Sequence, residues 1–290
     1  MNPGKLGVWY FTDTKSAADA ATFAKRLEQL GYGALWLPEA YGRDPFAHSA
    51  WLLANTEKLV LATGIASIYN REAPAAMAAA RTLAEQSGGR FMMGLGVSHQ
   101  VAVEGRGIEY KKPLATMRAY LEGLTRVPYM STPPAEEPPV LVAALGPKML
   151  ELAATKASGA HPYFSTPEHT RQAREIMGPD AMLCVEQKVV RESDPQKARD
   201  LARGVAQIYL GLPNYRNNWL RLGMTEADFE NGGSDRFIDA TFAWGDASRI
   251  RERINEHLDA GASHVCIQPV NPNGVFGDPD MTVLEQLIKG

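Results

Sequence analysis

The most constraining feature of this sequence is residues 59–99, a stretch typical of a strand, a helix and a second strand. Leu59–Ile65 is an aliphatic and β-branched run, as in a strand buried on both faces of a parallel sheet. The Ala-rich segment from Pro74 to Gln86 predicts a helix, and the Gly-Gly pair after it supplies a left-handed stop. Arg90–Gly96 predicts the next buried strand.

The polar and glycine residues of this unit lie where its strands end. Gly64-Ile65-Ala66-Ser67 ends the first strand, and Gly96-Val97-Ser98-His99 ends the second. Ligands of parallel α/β folds bind at the carboxyl ends of the strands. These two turns are therefore the first candidates for a binding site.

The same rhythm continues through the chain and predicts eight strands. They are Lys5–Tyr10, Ala34–Pro38, Leu59–Ile65, Arg90–Gly96, Pro139–Ala144, Gly159–Phe164, Ala181–Val190 and Ala262–Gln268. Helices predicted between and after them begin at Ser16, Pro45, Pro74, Pro113, Gly146, Thr166 and Asp246, and a closing helix covers Met281–Lys289. This alternation, without an early Gly-rich dinucleotide fingerprint, predicts an α/β fold of the (β/α)8 TIM-barrel type. An open doubly wound sheet is the alternative, since strand order cannot be deduced from one sequence.

We expect one barrel domain over residues 1–290, with a helical insertion at 191–245 between the seventh and eighth βα units. The chain has 290 residues and a formal net charge of −3, so nothing in its charge favours binding to nucleic acid. Its N-terminus lacks a long apolar stretch, so we expect a cytoplasmic protein without a membrane span. Cys184 and Cys266 each lie in an apolar run, which predicts reduced core residues.

In a barrel the site lies among the residues that follow the strands. The candidates are Trp9, Tyr10, Glu39, Gly64, Ile65, Ala66, Ser67, Gly96, Val97, Ser98, His99, Ala144, Leu145, Gly146, Pro147, Lys148, His161 and Gln268.

Gly146-Pro147-Lys148 gives the clearest physical signal among them. Glycine allows a tight turn, proline suits a first helical position, and the free N–H groups of a helix start attract an anion. An ordinary helix start is the commoner explanation of such a tripeptide. A phosphate-bearing ligand is plausible here because this start follows a barrel strand.

Three titratable side chains each have more than one interpretation. His99 follows a glycine turn and either faces the barrel mouth or is a loop residue without a role. Glu39 directly follows an apolar strand and needs a partner, so it serves the site, bonds loop backbone or pairs with Arg43. His161 opens the run HPYF, which is either an aromatic wall for a planar ligand or core packing.

The chain contains no HExxH, GxSxG or GxxxxGK[ST] motif and no zinc-type cluster, and we expect no metal. No residue set explains catalysis by itself. This favours an enzyme whose cofactor supplies the chemistry while the barrel supplies orientation and electrostatics.

Four segments together carry a family likeness: ALWLPEAYGRDPF, LATGIASIYNREAPAAMAAARTLAEQSGGRFMMGLGVSH, VLVAALGPKMLELAA and AWGDASRIRERINEHLDAGASHVCIQP. They resemble the bacterial luciferase-like superfamily, and most of all its branch that uses the deazaflavin coenzyme F420. The resemblance implies a (β/α)8 barrel, a homodimer and a cofactor ring lying across the strand ends. Its phosphate tail would lie near the middle strands.

The resemblance also implies roles for particular positions. Gly64-Ile65 matches a non-prolyl cis peptide that presses on the ring, with Ala66 and Ser67 beside it. Glu39 matches an acidic position next to the ring. The turns Gly96–Ser98 and Gly146–Lys148 match those that meet the cofactor's chain and phosphate, and we expect Ala144 and Leu145 to bind the cofactor with them. We expect the substrate to be bound by Trp9, Tyr10, His161 and Gln268.

Two departures from the family pattern concern the proton. Some F420-dependent relatives have a catalytic histidine directly after the acidic residue, where this chain has Ala40. Where they carry a glutamate after the fourth strand, this chain has His99. We therefore expect His99, with Glu39, to take the catalytic role.

The resulting expectation is an F420-dependent oxidoreductase that moves a hydride between the deazaflavin and a small organic substrate. The alternatives are an FMN-dependent luciferase-like monooxygenase and a flavin-binding paralogue without catalysis. A deazaflavin lacks the ring nitrogen that supports rapid oxygen chemistry, so the cofactor decides the type of reaction.

Overall fold

Parallel strands close into a barrel in the computed structural model, which describes residues 1–271 and 278–288. The strands are β1 (Leu6–Trp9), β2 (Ala34–Leu37), β3 (Val60–Thr63), β4 (Ala66–Ser67), β5 (Phe91–Gly96), β6 (Val140–Val142), β7 (Gly159–Ala160), β8 (Met182–Val190), β9 (Phe242–Trp244) and β10 (His264–Pro269). Eight of them form the barrel, in the order β10-β1-β2-β3-β5-β6-β7-β8, and β10 pairs with β8 to close it. The predicted barrel is confirmed, and the open sheet is excluded.

The helices lie between the strands in the predicted rhythm. They are α1 (Ala17–Leu30), α2 (Pro45–Ala54), α3 (Ala73–Ser87), α4 (Gln100–Glu104), α5 (Pro113–Gly123), α6 (Pro147–Lys156), α7 (Pro167–Met177), α8 (Pro195–Leu210), α9 (Pro213–Arg221), a 3₁₀ helix (Glu226–Gly232), α10 (Asp235–Thr241), α11 (Ala247–Asp259) and α12 (Met281–Ile288). Ser16, Thr166 and Asp246 cap α1, α7 and α11 as predicted, because each side chain accepts a backbone N–H of the first turn.

Several element ends differ from the predictions. The sixth predicted strand stops at Ala160 rather than Phe164, because Pro162 lacks an N–H and Phe164 adopts φ 55°. The short strands β4 and β9 and the helix α4 were missed, since two to five residues carry too little periodicity to be recognised. Lys289, the predicted end of the last helix, lies outside the described residues.

The core has an inner and an outer layer because successive strand residues point to opposite faces. Inside the barrel lie Trp9, Trp36, Met92, Cys184 and Cys266, among others, and the outward face packs against the helices. Both cysteines are buried and free, as predicted. Burial raises the pKa of the Cys184 thiol to about 12, which leaves it unreactive.

Residues 191–245 fold as α8, α9, the 3₁₀ helix, α10 and β9. Their apolar side chains form a second cluster, in which the rings of Tyr209, Tyr215 and Trp219 pack around Phe164. Phe164 lies in the segment that leaves the carboxyl end of β7, so residues 191–245 lie over that end of the barrel. Within the described part of the chain, no helix combines the length and apolar character needed to cross a bilayer.

Three buried histidines predict how stability depends on pH. Burial lowers the pKa of His161 and His264 to about 4 and that of His257 to about 3. The unfolded chain, with histidine pKa values near 6.5, therefore binds more protons, and stability falls as the pH drops below that value. The expected loss is roughly 4 kcal/mol per pH unit at most, between about pH 6 and 4.

Urea unfolding from pH 7 to 5 would measure this slope above the range in which carboxylates titrate. His257→Gln should remove about a third of it. A free energy of unfolding that stays constant from pH 7 to 5 would contradict the assignment of neutral, buried histidines.

Candidate active site

The mouth of the barrel is built from residues at the ends of β1 and β3. Trp9, the last residue of β1, is 3% exposed, and its Nε1–H donates a 2.7 Å hydrogen bond to the carbonyl oxygen of Gly64. The Gly64–Ile65 peptide is cis, as the resemblance predicts.

Two glycines are required here by close approach of neighbouring groups. A Cβ on Gly64 would lie 2.7 Å from Trp9 Nε1 and 3.3 Å from His161 Nε2. A Cβ on Gly96 would lie 2.5 Å from Cδ1 of Ile65. Larger residues at either position would displace the wall that Gly64 and Ile65 form.

Glu39 is held at the same edge of the barrel by an ion pair. Both carboxylate oxygens accept from the Arg71 guanidinium, and Oε2 also accepts a 2.7 Å hydrogen bond from the Ser67 backbone. The pairing with Arg43 considered from the sequence is wrong, because Arg43 donates to the carbonyl oxygens of Thr12 and Lys15. Glu39 thus ties the end of β2 to the segment that follows β4.

His99 lies at the mouth between β5 and the insertion. Its ring centroid is 5.6 Å from that of Tyr215, and its Nδ1 is buried without a partner among the described residues. Burial lowers the pKa of His99, and a contact with the Asn214 side chain opposes the shift. A neutral, half-buried imidazole with a free nitrogen is suited to proton transfer.

A fully buried ion pair on β8 was not predicted from the sequence. Lys188 Nζ lies 3.2 Å and 3.1 Å from the two carboxylate oxygens of Glu186, and both side chains are 0% exposed. Burial lowers the pKa of Lys188 to about 8 and raises that of Glu186. The signal was available, because two charges spaced by two residues in the strand MLCVEQKVV must share one face.

Aromatic rings surround this ammonium. Lys188 Nζ lies 3.7 Å from the ring centroid of Tyr163 and 4.0 Å from that of Phe164. The Tyr163 hydroxyl donates a 2.8 Å hydrogen bond to Gln268 Oε1 and lies 2.7 Å from the Tyr209 hydroxyl. The predicted residue Gln268 and the insertion therefore meet over Lys188.

The start of α6 forms another part of the mouth. Gly146 is its N-cap residue, no side chain caps the helix, and its first turn contains no acidic residue. A Cβ on Gly146 would lie 3.6 Å from Arg221 Nη2, so a guanidinium of α9 lies beside the helix start. The residue before Gly146 is held by His169, whose Nε2 lies 2.9 Å from the Leu145 carbonyl oxygen. Pro147 and Lys148 are exposed.

Two other predicted residues are buried in the core of the protein. His161 is 1% exposed in the barrel interior, where it stacks on Trp36 with ring centroids 4.4 Å apart. Tyr10 packs against Phe23 of α1, on the outer face of the sheet. Core packing accounts for Tyr10, whereas the His161 Nε2 faces Gly64 and has no hydrogen-bond partner in the described chain.

The remaining predicted residues line the strand ends. Ala66 and Ser67 form β4 beside β5, and Ser98 adopts φ 57° in the turn that leads to His99. Val97 and Ala144 pack with the outer core at the ends of β5 and β6. Residues 1–271 and 278–288 contain no group of three His, Cys, Asp or Glu side chains placed to hold a metal ion.

Known proteins share this architecture over the whole chain. A solved structure described as an F420-dependent secondary alcohol dehydrogenase in complex with an F420–acetone adduct superimposes with a TM-score of 0.80. It is 15% identical and covers 100% of this chain and 98% of the other. At that identity, the likeness shows the fold alone.

Two sequence relatives are more similar. The 5,10-methylenetetrahydromethanopterin reductase of Methanolobus tindarius is 28% identical over 91% of this chain and 94% of its own length. A Mycobacterium tuberculosis protein, named as a coenzyme F420-dependent oxidoreductase, is 30% identical over 56% of this chain and 55% of its own length.

A family model decides the classification. The model described as luciferase-like monooxygenase matches residues 2–264, which include β1 to β9 and the insertion. The closed eight-stranded parallel barrel agrees with that match. The chain therefore belongs to the luciferase-like monooxygenase family and is an oxidoreductase of the luciferase-like type.

Proposed function

We propose that this protein is an F420-dependent oxidoreductase that moves a hydride between the deazaflavin and a small organic substrate. The observation that carries the proposal is the sequence similarity, since one relative is named for F420 and the other is named a reductase. The small organic substrate is the expected partner of this enzyme. We also propose that two copies of the chain form a homodimer.

The residues at the mouth fit a planar cofactor with a phosphate tail. Gly64 and Ile65 would support the ring, while Gly96–Ser98 and the uncapped start of α6 would hold the chain and the phosphate. The buried Nδ1 of His99 and Nε2 of His161 have no hydrogen-bond partner in the described chain, and a bound ligand would supply one. When bound, the deazaflavin would supply a two-electron hydride carrier with little reactivity towards oxygen.

The chain's own residues would orient the substrate and handle the proton. Trp9, Tyr163 and Gln268 enclose the space above the cis peptide, and their hydrogen bonds fix the orientation of that wall. We propose His99 as the acid–base group, because its Nδ1 has no other partner within the described chain. Glu39 would position the ring-side loop through Arg71 rather than exchange protons itself.

The second candidate is an FMN-dependent monooxygenase, which the family's own description favours. Turnover separates the two. An F420 enzyme should interconvert the 420 nm chromophore and its reduced form under strict anaerobiosis with a panel of alcohols, carbonyls and imines. Oxygen consumption with reduced FMN, and no anaerobic turnover with F420, would reject the proposal. Bound cofactor without any turnover would indicate the non-catalytic paralogue.

Replacing Gly146 tests the proposed phosphate position. Gly146→Leu should weaken F420 binding at least about 10-fold, because the side chain would extend towards Arg221 and cover the free N–H groups of α6. Fluorescence quenching measures the affinity, and Gly204→Leu on α8, where a Cβ meets nothing within 4 Å, is the control. An unchanged Kd for Gly146→Leu would place the phosphate elsewhere.

A further inference from the structure

One face of α9 is polar and lies towards the barrel mouth. Asn214, Asn218 and Arg221 are spaced by four and three residues, which places them in one row along the helix. Asn214 contacts His99, and Arg221 lies beside Gly146. The row therefore runs from the end of β5 to the start of α6, while the neighbouring face carries Tyr215 and Trp219 into the aromatic cluster.

Arg221 differs from the other arginines of the insertion. Arg191, Arg199, Arg203, Arg216 and Arg236 each form an ion pair with a carboxylate. Within the described residues Arg221 has no carboxylate partner. Its hydrogen bond goes to Asn218 Oδ1, at 3.1 Å. Desolvation lowers its pKa, and no acidic group offsets that effect.

Asn218 supplies a second, independent sign of a ligand. It is 1% exposed, and its Nδ2 has no hydrogen-bond partner in the part of the chain that the structure describes. A buried amide donor without an acceptor is destabilising, because it has lost its hydrogen bonds to water. The same amide binds Arg221 through its oxygen, so the unused donor lies next to the guanidinium.

Three kinds of donor thus lie together: the backbone N–H of Lys148 in the first turn of α6, the guanidinium of Arg221 and the amide of Asn218. No side chain caps the helix, the Asn218 Nδ2 has no acceptor within the described chain, and Arg221 donates only to the amide oxygen of Asn218. The helix dipole adds partial positive charge at this place. An anion with several oxygens satisfies all three, and phosphate has that chemistry.

We propose that Arg221 and Asn218 bind the phosphate group of the cofactor together with the start of α6. This inference rests on the proposed function, because it assumes a flavin-type cofactor at the mouth. It assigns α9 of the insertion to recognition of the cofactor's tail. Cofactors that carry a phosphate would be distinguished by this helix from those that end at the ribityl chain.

The test compares ligands with and without the phosphate-bearing tail; FMN and riboflavin differ in the phosphate alone. F420 is paired with the same deazaflavin bearing only its ribityl chain, and FMN is paired with riboflavin. Arg221→Met should weaken the phosphate-bearing ligand of whichever pair binds by about 10-fold or more, and leave its phosphate-free partner unchanged. Raising the salt concentration should narrow the difference between wild type and variant, because the lost interaction is between charges.

A second variant and a matched control complete the test. Asn218→Asp preserves the shape of the side chain but gives Arg221 a carboxylate partner, so the affinity for phosphate-bearing ligands should again fall about 10-fold or more. Arg216→Met, on the same helix and paired with Glu226, is the matched control and should change neither ligand. Thermal unfolding of each variant checks that the helix stays folded.

The outcomes separate this inference from the proposed function. If only FMN and riboflavin bind, the F420 assignment fails, while the difference between these two ligands still tests Arg221. Equal weakening of both members of a pair would show that Arg221 supports the fold of the mouth and would overturn the inference. Unchanged affinities in Arg221→Met and Asn218→Asp, or no binding of any of the four ligands to the wild type, would overturn it as well.

Discussion

Replacing His99 by alanine is expected to lower the turnover rate by about 10²–10⁴-fold while F420 still binds nearly normally. The family resemblance places a catalytic histidine of some F420-dependent enzymes at position 40, where Ala40 of this chain has only a methyl group. His99 is half-buried, has a free Nδ1 and has a lowered pKa. The pH profile of kcat should therefore lose one limb, whose midpoint in the wild type lies below the pKa of an exposed histidine.

Two variants make the His99 prediction specific. His99→Gln retains a polar side chain of similar reach but cannot exchange a proton at neutral pH, so it should be as slow as His99→Ala. Gln100→Ala removes the exposed neighbour, whose side chain binds Glu104, and should leave turnover unchanged. Wild-type rates in His99→Ala, or recovery in His99→Gln, would show that His99 only orders its loop.

Replacing Lys188 by methionine is expected to lower the free energy of unfolding by about 3–5 kcal/mol. The change removes the only cation that touches Glu186 in the described chain and leaves a carboxylate at 0% exposure. Without the ammonium, burial raises the pKa of Glu186 unopposed by Lys188, so the carboxylate must take up a proton or be hydrated by water that enters the core. Urea or thermal unfolding measures the loss.

Removing both charges should restore most of that stability. In Glu186→Gln with Lys188→Met no charge is buried, and the Phe164 backbone N–H can still donate to the side-chain oxygen at position 186. Lys111→Met, from an exposed pair with Glu109, should change stability by less than about 0.5 kcal/mol. A double variant as unstable as Lys188→Met alone would show that shape, rather than charge, is lost.

The barrel was predictable from the sequence because its buried strands are apolar runs between well-marked helices. Ser16, Thr166 and Asp246 mark helix starts through local hydrogen bonds that require no tertiary context. Barrel closure was inferred from the count of strands and is established by the pairing of β8 with β10. The end of β7 was misjudged, because the backbone at Phe164 follows the insertion and not the strand pattern.

Site residues were predictable only where a glycine turn follows an apolar strand. Gly64, Gly96 and Gly146 lie where backbone or side chains come close, and the sequence identifies them as glycines after apolar runs. Partners from distant segments could not be predicted. Arg71, which binds Glu39, lies in the segment after β4. Arg221, which lies beside Gly146, belongs to the insertion. Such contacts depend on how loops pack, and spacing in one sequence does not encode them.

The central claim is that this barrel binds a deazaflavin in preference to FMN. Fluorescence quenching with F420, FMN and NADPH, each titrated into the purified protein and then competed against one another, tests it most directly. We expect saturable F420 binding in the micromolar range and displacement of F420 only by a large excess of FMN. Micromolar binding of FMN with none of F420 would contradict it.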